Sequence, residues 1–350
     1  MADAAHRPEA FLDPGAARPH RVMALLRERG GQNARVTFFE LFFDLVFVFA
    51  ITQLSHRLLE HLTVRGAAET LLLLLAVWWA WMYTCWTTNW FSPDHPAIRL
   101  MLVAVMIAGL FMAAMLAPWH GFATPLLGRS STTEWTIDGS HMAERCQLFL
   151  IIALGETVLV TGSTLGGHTP SAAVAAGFVS AFVGTVALWW IYFDHTAEAA
   201  AGRIAASADP GRLGRSAYTF IHIVMIAGIV VGAVADEKVM AHPGGHVDTA
   251  FAVVALGGPA LFVAGHSLFK QVVFGGFTAA RVTALLALAV LAVPALATDV
   301  LTPLALHICS SVVVVALALW DVRAHRLRRR ESAHLLGPAH AAGEEATAGR

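Results

Sequence analysis

Two groups of ionisable residues stand inside otherwise apolar sequence, and their spacing indicates what chemistry they could do. The first is Glu40-Leu-Phe-Phe-Asp44, followed by Leu-Val-Phe-Val-Phe-Ala. Residues four apart share one face of a helix, so the two carboxylates stack. Phe38, Phe39, Phe42 and Phe43 surround them. An acid at the centre of a membrane span costs about 2.5–3.5 kcal/mol, which calls for a compensating guanidinium, a proton on one acid, or a cation held between them. The alternative is that both are helix-start acids at the headgroup level, favoured by the helix dipole.

The second group is Asp138-Gly-Ser-His141-Met-Ala-Glu144-Arg145, continuing through Phe149-Leu-Ile-Ile-Ala-Leu-Gly155-Glu156. His141 and Arg145 are one turn apart. Glu156 follows Arg145 by three turns, roughly 16 Å of helical rise, with only a small angular slip. Imidazole, guanidinium and carboxylate therefore lie along one stripe, and Gly155 permits close helix approach. A carboxylate at the depth of Glu156 must be protonated, paired with an arginine or bound to a cation. The candidate proton or ion path, or buried polar network, is thus Glu40, Asp44, His141, Glu144, Arg145 and Glu156. A purely structural interhelical salt bridge is the competing reading.

Weaker candidates are Asp194 with His195 at the end of an apolar block, and single histidines at His222, His266 and His307, which read as hydrogen-bonded packing. Cys85, Cys146 and Cys309 are scattered in apolar sequence without metal-ligand spacing and read as free buried thiols. No HExxH or comparable metal motif occurs, and no metal, cofactor or catalytic residue is assigned.

Helices must position these residues. The chain is 57% hydrophobic and 13% charged with mean hydropathy +0.64, against roughly 25% charged residues in soluble domains. Its apolar residues fall into nine blocks: Thr37–Ser55, Ala68–Asn89, Ala97–Ala117, Ala143–Thr164, Ser171–Phe193, Ala217–Ala235, Thr249–Phe269, Val282–Leu296 and Pro303–Trp320. Each is near the length of about 20 residues that crosses a bilayer. Continuous rather than alternating apolarity makes them helices, not barrel strands. The fold class is all-α, a polytopic transmembrane bundle of about nine spans. Trp78, Trp79, Trp81, Trp86 and Trp90, with Trp189, Trp190 and Tyr192, crowd toward block ends as interfacial belts do.

Residues 1–36 form a polar, arginine-rich tail, 37–322 the membrane domain, and 323–350 a basic and polar tail. No cleavable signal is expected. Both termini are expected to be cytoplasmic by the positive-inside rule, which requires an even number of spans. The loops holding Lys270 and Arg281, and Arg203, Arg212 and Arg215, fit that orientation from the C-terminal end, with the loop of Asp236 and Glu237 outside. The parity error therefore lies earlier, around Pro118–Gly128. A net charge of -1 argues against nucleic acid as partner.

At the two polar constellations the chain resembles the bacterial low temperature requirement protein A family of multi-spanning membrane proteins. Glu40-Leu-Phe-Phe-Asp-Leu-Val-Phe-Val-Phe-Ala, His141-Met-Ala-Glu-Arg and Phe149-Leu-Ile-Ile-Ala-Leu-Gly-Glu156 carry the resemblance. It implies a multi-pass protein of the bacterial plasma membrane with the bilayer as its environment, and a name drawn from cold growth, a stress phenotype. Family members are longer between the third block and the HMAER segment, so this chain is expected to lack several helices between Met115 and Gly121. Three functional classes follow. The leading one is transport or permeation of a proton, cation or small solute, with Glu40, Asp44 and Glu156 as carriers and Arg145 as counter-charge. A membrane-embedded enzyme lacks recognisable spacing, and a structural or cold-adaptation protein would use the stripe as interhelical glue. Homo-oligomerisation is left open.

Overall fold

The structure is a computed structural model describing residues 36–115 and 139–348 apart from 168, 170, 195 and 299; for 112–115, 139–140, 156 and 328–348 it describes the backbone alone. Among the described residues there is no β-strand, and the elements are helical throughout. They are α1 Phe38–Glu60, α2 Val64–Trp90, α3 Pro96–Met115, α4 Gly139–Gly167, α5 Ala172–Phe193, α6 Thr196–Ala205, α7 Pro210–Gly214, a π-helix Arg215–Ile221, α8 His222–Ala241, α9 Thr249–Phe274, α10 Ala279–Ala297 and α11 Pro303–Ala348. The nine expected apolar blocks correspond to α1–α5 and α8–α11. Eight helical stretches are long and apolar enough to cross a membrane, and Pro96–Phe111 is a shorter apolar ninth. The Pro118–Gly128 segment, where the parity conflict was placed, lies outside the described residues.

Local chemistry explains the boundaries. Thr37 caps α1 through a capping box with Glu40, and Thr63, Ser171 and Asp248 cap α2, α5 and α9 with side-chain oxygens that accept from backbone N–H groups. Gly275 closes α9 at φ 80°, a conformation only glycine takes without steric cost. Several charges expected in loops are in helices instead: Arg203 in α6, Asp236 and Glu237 in α8, Lys270 in α9 and Arg281 in α10. α8, α9 and α10 run further than their apolar blocks, and α6 is a short helix of its own between two of them.

The centre of the bundle is α8, which packs against α1, α2, α4, α5, α9 and α11. Its contact with α9 is backbone on backbone. A Cβ on Gly228 would come within 2.6 Å of Phe262 N, and one on Gly258 within 2.6 Å of Gly232 N. Lipid tails are as apolar as leucine, so hydrophobicity does not hold membrane helices together; close approach at small residues does.

Just before α8 the chain widens into the π-helix, which frees carbonyl groups for other partners. Thr219 O accepts from Trp78 Nε1 at 2.8 Å and Ala217 O accepts from His222 Nδ1 at 3.0 Å. The interfacial-belt expectation is therefore corrected for part of the set. Trp78, Trp81 and Tyr192 are buried, with their polar atoms hydrogen-bonded inside the bundle, whereas Trp189 and Trp190 are exposed.

Candidate functional site: a buried charge cluster between α1, α2 and α4

The parallel starts of α1 and α4 and the end of α2 meet in one buried cluster. Glu40, Asp44, His141 and Arg145 are each 0% exposed. Helical spacing puts Glu40 and Asp44 on the α1 face toward α4, and His141 and Arg145 on the α4 face toward α1. The guanidinium grips Asp44 with two prongs. Arg145 Nε donates to Asp44 Oδ2 at 3.0 Å and Nη2 donates to Asp44 Oδ1. This fork geometry is what distinguishes arginine from lysine as a buried counter-charge. The remaining nitrogen, Nη1, donates to Thr88 Oγ1 at 3.0 Å and to Glu40 Oε1 at 3.4 Å. Phe43 closes one side, its ring centroid 5.6 Å from the guanidinium carbon.

Glu40 combines both roles considered for it. Its Oε2 accepts from Thr37 N at 2.9 Å as the helix-start capping residue, while Oε1 contacts His141 Nε2 at 3.0 Å. His141 Nδ1 faces Asn89 Nδ2 at 3.3 Å. With the amide nitrogen there, Nδ1 accepts and Nε2 carries the hydrogen toward Glu40; with the amide turned over, the ring can hold a proton on both nitrogens. His141 Nε2 and Glu40 Oε1 thus lie within hydrogen-bonding distance beside the Arg145–Asp44 pair.

Glu144 points elsewhere, accepting from Val36 N at 3.1 Å and tying the chain before α1 to α4. Glu156 lies on α4 as expected, but its side chain is outside the described residues. The structure thus brings four of the six candidates into one cluster and sets Glu144 at its edge.

Sequence reasoning missed three members, all from α2. Trp81 Nε1 donates to Asp44 Oδ1 at 2.7 Å, and Thr88 and Asn89 serve Arg145 and His141. Trp81, Cys85, Thr88 and Asn89 recur at helical spacing on one buried face, a signal visible in the sequence once a polar partner for the acids is sought there. Further along α1 and α4, where α8 takes the place of α2 as the third helix, a small cavity of 20 Å³ is lined by Thr52 and Ser55 of α1, Thr157 of α4 and Ile229 and Ala233 of α8. That is room for one water with hydroxyls to hold it.

Among the described residues no group of three or more His, Cys, Asp or Glu side chains is placed to hold a metal ion. The three cysteines are free, Cys85 and Cys146 buried and Cys309 partly so.

The family model for the bacterial low temperature requirement A protein matches residues 35–123 and 114–319. Both stretches carry cluster residues, Glu40 and Asp44 in the first and His141 and Arg145 in the second, and they overlap over residues 114–123. An uncharacterised protein of Rhizobium meliloti (strain 1021) is 28% identical over 400 residues, covering 88% of this chain and 94% of the relative. No solved structure matches the chain.

Proposed function

Because the chain belongs to the bacterial low temperature requirement A family of multi-pass membrane proteins, we propose that it carries a proton, a small cation or a proton-linked solute across the bacterial plasma membrane. The observation that carries this reading is the fully buried contact of Glu40 with His141 beside the fixed Arg145–Asp44 pair. Ionisable groups in a membrane interior are costly and usually mark ion or proton routes, and histidine is the side chain suited to changing charge near neutral pH.

In this reading Arg145 and Asp44 neutralise each other and set the geometry. The proton resides on the Glu40–His141 pair, where Asn89 and the Thr37 cap hold both partners in register. From there the Thr52, Ser55 and Thr157 hydroxyls offer the next hydrogen-bonding groups along the α1–α4–α8 seam. Glu156, three turns beyond Arg145 on α4, is the next acid we assign to the route. Both termini are assigned to the cytoplasm, and residues 1–36 and 323–350 to tails outside the membrane domain.

One observation favours a second reading. Every guanidinium nitrogen of Arg145 is engaged, as a structural staple would require, so a stress-related structural protein with no transport is the alternative. Purified protein in sealed proteoliposomes separates the two. Transport predicts proton or monovalent-cation flux well above that of protein-free vesicles, and flux equal to protein-free vesicles in all gradients tested would leave the structural reading.

A further inference from the structure

A second polar network lies in the other half of the bundle, built from three helices and used by neither reading above. His307 of α11 contacts Asp236 Oδ1 of α8 through Nε2 at 2.9 Å and Ser180 Oγ of α5 through Nδ1 at 2.9 Å. Ser180 Oγ donates to Ser311 Oγ at 3.2 Å, and Ser311 Oγ reaches back to Ser180 O at 3.2 Å. Asp236, His307, Ser310 and Ser311 line a cavity of 40 Å³. A water needs about 10–15 Å³ of such space, so the cavity takes about three.

The network is satisfied in two protonation states. With a neutral ring, Nε2–H donates to the Asp236 carboxylate and the Ser180 hydroxyl donates to Nδ1. With a proton added, Nδ1–H donates to Ser180 Oγ, the Ser180 hydroxyl turns to Ser311, and Ser311 donates to Ser180 O. No hydrogen bond is lost in the change, because each hydroxyl rotor can reverse. An added proton also finds the Asp236 carboxylate already in contact. A histidine held only for packing has no need of hydroxyls that can reverse on one nitrogen and a carboxylate on the other.

The surroundings leave the charge to these two groups. Asp236 and His307 are the ionisable side chains of the cavity lining; α5 contributes Gly184 and Thr185 there, and α9 contributes Ala255 and Pro259. Glu237 and Lys238, next along α8, turn to His56 and Asp248. Arg281 of α10, on the helix next to α11, pairs with Asp321 fourteen residues beyond His307, about 21 Å along the helix. An acyl-transfer role for Ser180 has no support, since its own helix consumes the backbone N–H groups an oxyanion would need.

We propose that the Asp236–His307–Ser180–Ser311 network is a proton-binding site that exchanges one proton with water in the adjoining cavity. In the step, a cavity hydronium gives its proton to the Ser311–Ser180 hydroxyl chain as Ser180 passes its own to His307 Nδ1, leaving water, imidazolium and carboxylate. Ile51, Ala153 and Ile229 line one cavity and so mark one level. Arg145 lies eight residues before that level on α4 and Asp236 seven beyond it on α8, so the two sites are roughly 22 Å apart along the bundle. The site's place as a second station on a transmembrane route rests on the transport reading; its ability to bind a proton does not.

The test is histidine-selective nitrogen NMR on the full chain in lipid nanodiscs, titrated with buffer alone. One ring signal, absent in His307→Gln, should change between singly and doubly protonated forms as pH falls. Asp236→Asn should lower the proton affinity of that ring at least tenfold, and Ser180→Ala, which removes a hydrogen bond but no charge, should lower it severalfold. A His307 signal that keeps one protonation state from pH 5 to 9, or an affinity unmoved by both substitutions, overturns the proposal. Titration as expected in a protein that gives no flux in proteoliposomes supports the site and removes the transport reading instead.

Discussion

Replacing Arg145 by methionine removes the guanidinium while keeping most of the side-chain volume, and the structure gives the size of the effect. Asp44 loses both prongs of the fork and keeps only Trp81 Nε1; Glu40 loses its 3.4 Å contact and keeps His141 and the Thr37 cap. Removing one partner of a buried pair costs about 3–5 kcal/mol in soluble proteins. Inside a bilayer single polar contacts average about 0.6 and reach about 1.7 kcal/mol, and three such contacts to carboxylates go at once. Both routes give a loss of about 3 kcal/mol, or a fall in Tm of roughly 10 °C at about 2–4 °C per kcal/mol. Thermal unfolding in detergent, followed by helical circular dichroism, measures it. Pairing the change with Asp44→Asn completes a double-mutant cycle, and the double variant should recover about 1–3 kcal/mol relative to the sum of the singles. A Tm change under about 2 °C for Arg145→Met, or additivity within about 0.5 kcal/mol, would refute the argument that this pair anchors α1 to α4.

Other outcomes follow from particular contacts. Trp81→Phe keeps the ring packed near Phe149 but deletes the donor to Asp44, and should cost about 1.5–3 kcal/mol, as for a hydrogen bond to a charged group; stability indistinguishable from the parent would count against the indole as a member of the cluster. Gly258→Ala places a methyl 2.6 Å from the Gly232 backbone, whereas Gly257→Ala meets nothing within 4 Å. The first should destabilise by about 1–3 kcal/mol through forced separation of α8 and α9, and the second should be neutral or slightly stabilising because alanine favours helix more than glycine does. Equal melting temperatures for the two variants would contradict the described packing.

The apolar blocks were legible because bilayer length and composition leave little choice of structure. Even so, α4 and α9 run past their apolar segments, since a helix ends where a cap or a glycine allows, as at Gly275, and not where hydropathy falls. The short helix α6 was missed because ten residues with Glu198 and Arg203 carry no spanning signal. At the cluster, Glu40 with Asp44 and His141 with Arg145 could be paired within their helices from four-residue spacing. That the two pairs face each other could not be read, because it depends on how α1 and α4 pack. Asn89 and Thr88 were silent for the same reason: a threonine and an asparagine near a helix end are common, and only the position of Arg145 gives them a task. The Asp236–His307–Ser180 network drew on three helices with no regular spacing, so His307 looked like a solitary packing histidine.

The central claim is that the Glu40–His141 pair carries a proton on a transport route, and flux per folded molecule tests it most directly. Proteoliposomes loaded with a pH-sensitive dye should be compared for the parent chain, Glu40→Gln and Glu156→Gln, with the folded fraction of each fixed by circular dichroism after reconstitution. The account predicts that flux through Glu40→Gln falls at least tenfold in the folded fraction, because the amide keeps the side chain's shape and one accepting oxygen but cannot exchange a proton, and that Glu156→Gln falls likewise. Undiminished flux in a folded Glu40→Gln protein would contradict it.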